Sequence, residues 1–186
     1  MIIIFIGPPF AGKDTQASLL SKKLSLPLFS MGGLIRDARE RGDEIIANAY
    51  RKYTLHGLHI PINIKFGLLK KKLDNLNDGF ILNNFPATIE DLNAFNKYLT
   101  ERNLSVDKVF YLYISKDVMQ ERFKNSLRKR PDDDSGIILT RREVQDKDRI
   151  PVIDYFRNLG ILVEVRGERD IDTVHKDIIS LLQKQL

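Results

Sequence analysis

Residues 7–16 combine a glycine-bounded loop with a lysine, which is the pattern of a phosphate-binding site. The sequence reads Gly-Pro-Pro-Phe-Ala-Gly-Lys-Asp-Thr-Gln, so Gly12 and Lys13 close the loop. In such a loop backbone N–H groups point inward, the following helix adds positive potential at its N-terminus, and the lysine supplies a mobile cation. A hydroxyl usually follows the lysine directly, but here Asp14 comes first and Thr15 follows it. The pattern predicts binding of nucleotide phosphates, with Thr15 either capping the helix or ligating Mg²⁺.

A second candidate anion site lies in residues 28–36, where a strand end, a Gly-Gly turn and a helix start follow one another. Arg36 falls in the second turn of that predicted helix. Its guanidinium matches phosphate oxygens in a bidentate fit, so Arg36 is a candidate ligand for a second phosphate. An exposed arginine on a helix is also common, and this residue alone does not decide between the two interpretations.

Short apolar runs alternate with segments of helical periodicity, and this order predicts an α/β fold. Strands that are apolar throughout and alternate with helices indicate a parallel sheet covered on both faces. We therefore predict three layers, with a five-stranded parallel sheet between helices. The predicted strands are 2–6, 27–29, 80–82, 109–114 and 161–165. The predicted helices are 16–24, 33–41, 44–55, 62–74, 90–102, 117–128, 140–158 and 171–184.

Two segments break this alternation. Residues 31–76 contain more helix than one crossover between strands needs, and residues 128–139 are polar and rich in turn residues. We interpret the first as an inserted helical subdomain and the second as a short flap. Both would lie above the carboxyl ends of the strands, where open sheets bind ligands. The core of the single predicted domain is then 1–30, 77–127 and 140–186.

The composition fits one globular domain that handles anionic ligands. The chain has 186 residues, of which 42% are hydrophobic and 30% charged, and its formal net charge is +5. It contains no cysteine, which excludes disulfides and thiolate zinc sites and fits a reducing cytoplasm. No apolar run is long enough to cross a bilayer, and no basic segment precedes the first one as in a signal peptide. We expect a cytoplasmic protein that does not bind membranes.

Other charged and histidine positions indicate no further site. His56, His59 and His175 are dispersed and lack the spacing of metal ligands. The lysine run 70–72 has no interleaved aromatic residues, which favours an exposed helix face over contact with nucleic acid. The acidic run 132–134 is more typical of a solvated flap than of a cation site. We expect neither a histidine metal centre nor binding to nucleic acid.

Several motifs together resemble those of the adenylate kinase family of nucleoside monophosphate kinases. The loop 7–16 is similar to the family's G-x-P-G-x-G-K-G-T-Q, and residues 30–36 are similar to its S-T-G-D-x-L-R. Residues 57–63 resemble G-x-L-V-x-D-E, and residues 79–88 resemble G-F-I-L-D-G-F-P-R-T. The family's E-R, R-x-D-D, R and P-x-x-x-Y-Y find counterparts in Glu121-Arg122, Arg130 to Asp133, Arg141, and Pro151 with Tyr155-Phe156. The resemblance covers essentially the whole chain and implies a P-loop kinase fold with a helical monophosphate-binding insertion and a short lid without zinc.

The resemblance implies a reaction and the residues that would carry it out. The reaction is transfer of the γ-phosphoryl group of ATP, with Mg²⁺, to a nucleoside monophosphate, with AMP the default acceptor. The implied residues around the transferring group are Lys13, Arg122, Arg130 and Arg141. The implied ATP contacts are Pro9, Phe10, Ala11, Gly12, Lys13, Asp14, Thr15, Arg122 and Gly167. The implied acceptor contacts are Met31, Arg36, Leu58, His59, Ile60, Asn84, Phe85, Asp91, Arg130 and Arg141. Mg²⁺ would be held by Thr15 and, through water, by Asp14. The family also favours a monomer with a moving lid and moving acceptor-side helices.

The chain departs from the family pattern mainly on the acceptor side. Ala87 replaces an arginine that clamps the acceptor's α-phosphate, and loss of such a partner costs about 2–4 kcal/mol. Asp91 replaces a glutamine whose amide reads adenine, and a carboxylate cannot present both a donor and an acceptor. Arg39, on the same predicted helix face as Arg36, is a candidate replacement cation. Further departures lie at Phe10, Met31 and Gly33.

Two departures concern the metal. Asn83 replaces an aspartate that orients the water shell of Mg²⁺, so one negative charge is lost there. Asp14 replaces a glycine and adds a negative charge beside the phosphate loop. We interpret the two changes as a relocation of the metal's anchor.

Two alternatives to the kinase remain open at this point. One is a nucleotide-binding sensor or scaffold of the same fold without fast catalysis. The other is a kinase with a changed acceptor, such as a pyrimidine monophosphate. The intact donor half favours catalysis, whereas the altered acceptor half is the basis of both alternatives. Arg36 argues against complete loss of acceptor binding.

Overall fold

The structure is a computed structural model that describes residues 1–76, 78–127 and 135–183. Five strands lie in these ranges, and each is within one residue of the predicted run at either end. They are Ile2–Ile6 (β1), Leu28–Ser30 (β2), Phe80–Asn83 (β3), Lys108–Tyr113 (β4) and Leu162–Arg166 (β5).

The five strands form one parallel sheet in the order β2-β3-β1-β4-β5. Strand β1 is central, and its alternate residues enter two separate cores. Ile4 belongs to one core, whereas Ile3 and Phe5 belong to the other, and all three are fully buried. Because side chains alternate across a strand, an apolar run of this kind requires cover on both faces. The predicted parallel sheet between two helical layers is confirmed.

Eight α-helices and one 3₁₀ turn cover the sheet in the described ranges. The first core contains residues from α2, α3, α4, α5 and α7, and the second contains residues from α1, α6 and α8. None of these helices is both long enough and apolar enough for a membrane span. Their bounds are Lys13–Leu24 (α1), Met31–Glu40 (α2), Glu44–Lys52 (α3), Thr54–His56 (the 3₁₀ turn), Ile62–Leu73 (α4), Ile89–Thr100 (α5), Lys116–Lys124 (α6), Ser135–Asn158 (α7) and Ile171–Gln183 (α8).

Four helix boundaries differ from the sequence prediction by three residues or more. Helix α1 begins at Lys13, three residues before the predicted start, and α6 ends at Lys124, four residues before the predicted end. The predicted helix 44–55 is divided into α3 and the 3₁₀ turn, because the chain bends at Tyr53 between them. The helix predicted from residue 140 begins at Ser135, so it includes the last part of the predicted flap. The rest of that flap, 128–134, lies outside the described residues.

Helix α7 contacts the segment 31–76 at a glycine. Gly57 follows the 3₁₀ turn with φ +74°, and a Cβ atom there would lie 2.9 Å from the backbone nitrogen of Arg141. Only glycine allows this approach without a shift of one backbone. The 3₁₀ turn is thereby held against the amino-terminal half of α7.

The turn that leaves β1 depends on Gly7. Its φ is +147°, and a Cβ atom there would lie 2.1 Å from the carbonyl oxygen of Leu112 on β4. The chain therefore leaves the centre of the sheet in direct contact with the neighbouring strand. Side chains that follow this turn lie at the carboxyl edge of the sheet.

We predict opposite stability effects for two glycine-to-alanine substitutions. Gly7→Ala should lower the free energy of unfolding by at least about 2 kcal/mol, because it adds strain and a backbone overlap. Gly67→Ala should raise it by about 0.5–1 kcal/mol, because Gly67 is inside α4 with no atom within 4 Å of the added Cβ. Urea denaturation measures both, and equal effects would contradict the described turn.

Candidate active site

The loop between β1 and α1 folds around the first turn of α1. Gly12 has φ +90°. Phe10 has φ +60°, an uncommon value for a residue with a side chain, and its ring packs edge-on against Phe123 with centroids 5.8 Å apart. The ammonium of Lys13, a residue only 9% exposed, donates to the carbonyl oxygen of Pro8 at 2.7 Å. The loop therefore holds a nearly buried cation at the start of a helix.

A cavity of about 250 Å³ lies in front of this loop, and we call it the phosphate cavity. Three cations, Lys13, Arg36 and Arg141, line its described part, together with the carboxylate of Asp14. The balance of charge is positive, which suits a polyanion. Its other lining residues are Pro9, Phe10, Gly12, Thr15, Ser30, Gly32, Asn84, Ser126 and Gln145.

A smaller space of about 70 Å³, the adjoining cavity, shares a wall with the phosphate cavity. Arg36 and Arg141 line both, as do Gly32, Asn84 and Gln145. The remainder of the adjoining cavity is lined by Met31, Ile35, Tyr50, Thr54, Gly57, Leu58, His59, Ile60, Lys65 and Ala87. The predicted acceptor residues Met31, Arg36, Leu58, His59, Ile60, Asn84 and Arg141 are thus brought together.

One face of α7 supplies part of this wall. Arg141, Gln145 and Arg149 are spaced by four residues, so they lie on the same side of the helix. Gln145 is 7% exposed and Arg149 3%. The guanidinium of Arg149 donates to Asp146 at 2.6 Å. Arg141 and Gln145 line the phosphate and adjoining cavities, whereas Arg149 is buried without lining either.

A third space of about 330 Å³, the flanking cavity, lies on the other side of the loop. The predicted ATP contacts Ala11, Arg122 and Gly167 all line it. Arg122 donates to the carbonyl oxygen of Phe10 at 3.1 Å. A Cβ atom at Gly167 would lie 2.7 Å from the carbonyl oxygen of Ala11, so glycine is needed for this close approach. Phe10, Gly12 and Thr15 line both the flanking and the phosphate cavities.

Asp14 and Asn83, the two residues that differ from the family pattern at the expected metal site, contact each other. Asn83, at the end of β3 and 1% exposed, donates through Nδ2 to the carboxylate of Asp14. Its Oδ1 is buried and has no hydrogen-bond partner in the described part of the chain. Asp14 and Thr15 offer further oxygens to the phosphate cavity. Oxygen atoms of this kind fit Mg²⁺, which takes few protein ligands when phosphates complete its shell. Within the described ranges no group of three or more His, Cys, Asp and Glu side chains could hold a metal ion by itself.

A buried ion pair, which the sequence did not reveal, lies beside the adjoining cavity. Lys65 Nζ is 2.9 Å from both carboxylate oxygens of Asp91, and the two residues are 3% and 1% exposed. The backbone N–H of Ala87 donates to the same carboxylate at 3.1 Å. Burial raises the pKa of the Asp91 carboxyl, and the Lys65 ammonium opposes that rise. One signal was present in the sequence, since Lys65 lies on the buried stripe of α4 with Leu69 and Leu73.

Among the described residues, three that the sequence pointed to line none of these three cavities, namely Asp91, Phe85 and Arg39. Asp91 lies in the ion pair beside the adjoining cavity. The side chain of Phe85 is 1% exposed and packs against Phe66 and Phe95, so it is part of the core. Arg39 stacks on the ring of Tyr50 at 4.2 Å instead of lining a cavity, so it does not replace the missing cation. Arg130 lies outside the described residues, as do Asp132 and Asp133.

His59, whose side chain is mostly buried, lines the adjoining cavity as a neutral imidazole. Burial, followed by the nearby charges of Lys65, Arg149 and Arg141, lowers the pKa of His59 to about 3. Its Nε2 lies 3.7 Å from the carboxylate of Asp148 and has no hydrogen-bond partner among the described residues. Burial, together with the surrounding cations, therefore keeps the His59 imidazole uncharged near neutral pH.

A family model and the similar proteins of known identity all indicate the same family. The model of the adenylate kinase family matches residues 5–161. An adenylate kinase of Archaeoglobus fulgidus is 30% identical over 215 aligned positions, which cover 99% of this chain and 99% of that protein. An adenylate kinase of Corynebacterium urealyticum is 32% identical over 186 positions, covering 99% and 100%. One from Prochlorococcus marinus is 32% identical over 176 positions, covering 95% and 94%.

We predict that His59 makes the protein less stable in acid. Its pKa in the folded protein, about 3, lies below the ordinary value of 6.5. As the pH falls from 6.5 towards 3, the unfolded chain takes up a proton that the folded chain does not, so the free energy of unfolding falls. Urea denaturation of the wild type and of His59→Leu at pH 7 and pH 4.5 should show a smaller loss in the variant. A His59 imidazole that titrates near 6.5 by NMR would contradict the described environment.

Proposed function

The chain belongs to the adenylate kinase family, and from this premise we propose that it transfers the γ-phosphoryl group of Mg·ATP to AMP. The observation that carries the proposal is the wall between the phosphate and adjoining cavities. Arg36 and Arg141 line both spaces. Two anionic groups, one in each cavity, would therefore meet at a pair of guanidinium groups.

We assign the triphosphate of ATP to the phosphate cavity. The backbone of the loop and the ammonium of Lys13 contact this space, and both favour phosphate oxygens. The nucleoside of ATP then extends into the flanking cavity, since Phe10, Gly12 and Thr15 connect the two spaces. Arg122, hydrogen-bonded to the loop at Phe10, lines the flanking cavity and not the phosphate cavity, so its predicted place around the transferring group stays a prediction.

We assign the phosphate of the acceptor to the shared wall. A bidentate guanidinium from Arg36 or Arg141 suits its oxygens. The nucleoside of the acceptor extends away from the loop, along Met31 and the segment 58–60. In this arrangement the helices α2 to α4, within 31–76, form the acceptor-binding insertion. The lid expected at 128–139 stays a prediction, because 128–134 lie outside the described part of the chain and 135–139 belong to α7.

The reaction then needs positioning and charge, with no covalent intermediate. An oxygen of the acceptor phosphate forms a bond to the γ-phosphorus while the bond to the β,γ-bridging oxygen breaks, and two diphosphates leave. Charge spreads over the equatorial oxygens in the transition state, and fixed cations stabilise it. Lys13, Arg36 and Arg141 are the cations that the described part of the phosphate cavity supplies.

Mg²⁺, when bound with ATP, neutralises charge on the phosphate oxygens. We propose that Asp14 and Thr15 hold its shell, Asp14 through water. Asn83 fixes the carboxylate of Asp14 by hydrogen bonding, and its own unpartnered Oδ1 is a second acceptor for a bound water. The carboxylate lost at position 83 is thus replaced by one that reaches the same point from α1.

The alternatives that the sequence left open are not favoured. The relatives reported above are adenylate kinases and match nearly the full chain, which favours neither a non-catalytic sensor nor a kinase for another acceptor. The monomeric state and the cytoplasmic location stay predictions. So does the role of Arg130 in the site.

The proposed activity is tested by following ADP formation from Mg·ATP with a panel of nucleoside monophosphates. AMP should be phosphorylated, and Lys13→Ala should lower kcat at least about 100-fold because it removes a cation at the transferring group. Lys23→Ala, at the exposed end of the same helix, is the matched control and should keep full activity. ATP binding without phosphorylation of any acceptor would overturn the proposal, and an active Lys13→Ala variant would overturn the assigned role.

The proposed metal site predicts that loss of the Asp14 carboxylate weakens metal binding and that a carboxylate at position 83 restores it. Asp14→Asn should weaken the affinity of the ATP complex for Mn²⁺, a paramagnetic substitute for Mg²⁺, roughly 10- to 100-fold. The double variant Asp14→Gly with Asn83→Asp moves the carboxylate to β3 and should restore most of that affinity. Asp117→Asn removes a first-turn carboxylate from α6 instead and should have no effect. Electron paramagnetic resonance of bound Mn²⁺ measures all four proteins, and an unchanged Asp14→Asn affinity would contradict the assignment.

A further inference from the structure

Burying the ion pair of Lys65 and Asp91 costs more free energy than the joining of two helices requires. It joins α4 to α5, two helices that already pack through apolar residues such as Leu69 and Phe95. Removing two charges from water is expensive, and apolar residues of similar volume often replace such a pair without loss of stability. A pair that is 3% and 1% exposed therefore calls for a role beyond joining helices.

The pair lies at the end of the site that is distant from the phosphate loop. Lys65 and Ala87 line the adjoining cavity but not the phosphate cavity, whereas Arg36 and Arg141 line both. A monophosphate bound by the two arginines would therefore direct its base towards Lys65. This step rests on the proposed function, because it uses the assigned position of the acceptor phosphate.

A wider space continues from this point. We call it the outer cleft; it has a volume of about 660 Å³ and is lined by Asp91 and Pro61. The residues Leu58, His59 and Ile60 line both the outer cleft and the adjoining cavity. Since Lys65 lines the adjoining cavity and Asp91 the outer cleft, the ion pair lies at the boundary between the two spaces. A base at that boundary would meet both members of the pair.

The chemistry of the pair resembles that of a primary amide. An ammonium has three N–H donors, of which two can serve the two oxygens of Asp91 at 2.9 Å. A carboxylate has about four acceptor positions, and Lys65 and the N–H of Ala87 do not fill them. One donor and one acceptor therefore remain side by side, with no net charge. Neither residue could offer both alone.

We propose that Lys65 and Asp91 together read the Watson–Crick edge of the acceptor's adenine. Lys65 Nζ donates a hydrogen bond to N1, and the Asp91 carboxylate accepts one from the 6-amino group. The N–H of Ala87 keeps the carboxylate in place. Hypoxanthine and guanine carry an oxygen at position 6 and a proton on N1, so they would set acceptor against acceptor and donor against donor. A site built on such hydrogen bonds rejects the mismatched base.

The test removes the pair without leaving a buried charge. In Lys65→Met with Asp91→Leu, the KM for AMP should rise roughly 10- to 100-fold, and the preference for AMP over IMP and GMP should disappear. The affinity for ATP, measured by calorimetry, should stay the same. In Lys65→Met with Asp91→Gln, an amide offers donor and acceptor again, and most of the AMP affinity should return. Lys70→Met with Asp74→Asn removes the exposed Lys–Asp pair of the same helix and should leave the KM for AMP unchanged.

A second measurement uses the unaltered protein and does not depend on the folding of a variant. AMP, 1-deaza-AMP and purine riboside monophosphate are compared by calorimetry. The first analogue lacks the N1 acceptor and the second lacks the 6-amino donor, so each should bind at least about 10-fold more weakly than AMP. Equal affinities would overturn the inference, as would an unchanged KM and selectivity in the apolar double variant. Failure of the proposed function is a separate result, namely a wild-type protein that binds AMP in this assay but does not phosphorylate it.

Discussion

Repulsion between two phosphate groups is the constraint that governs this molecule. Two unit negative charges at 4 Å repel by about 4 kcal/mol at an effective dielectric constant near 20, and the reaction needs them closer. Cations from three separate segments line the phosphate cavity and offset this repulsion. Lys13 comes from the start of α1, Arg36 from α2 and Arg141 from α7. The parallel sheet matters because its carboxyl edge is where these segments converge.

Three of the departures from the family pattern, Asp14, Asn83 and Asp91, belong to contacting pairs. Asp14 and Asn83 are hydrogen-bonded across the loop and β3, and Lys65 and Asp91 form an ion pair across α4 and α5. On the roles that we propose for them, two residues in each pair together supply the chemical groups that the family supplies at one position. Asn83 and Asp91 each lack a functional group that the family has at that position. The residue that contacts each of them, Asp14 or Lys65, carries the missing group. The altered acceptor half remains a polar, directional site.

The sequence predicted the fold more completely than the site, for a physical reason. Strands such as β1 are encoded by local apolar runs, and the phosphate loop by a contiguous motif, so each is visible within ten residues or so. The partner of Lys65 is 26 residues away and that of Asp14 is 69 away. Nothing local marks either pairing, although a lysine on the buried stripe of α4 required a carboxylate somewhere. Phe85 is the opposite case. Its position in a family motif suggested a contact with the acceptor, whereas its large apolar side chain is buried in the core.

Helix α7 also fixes where this chain tolerates changes of length. Each residue added inside a helix turns everything beyond it by about 100° around the axis. One insertion between Arg141 and Gln145 would rotate Gln145 away from the walls of the phosphate and adjoining cavities. Insertions ahead of Ser135 leave the internal phase of the helix untouched. A change of length inside α7 therefore alters the site, whereas a change of length before Ser135 leaves the spacing of Arg141 and Gln145 intact.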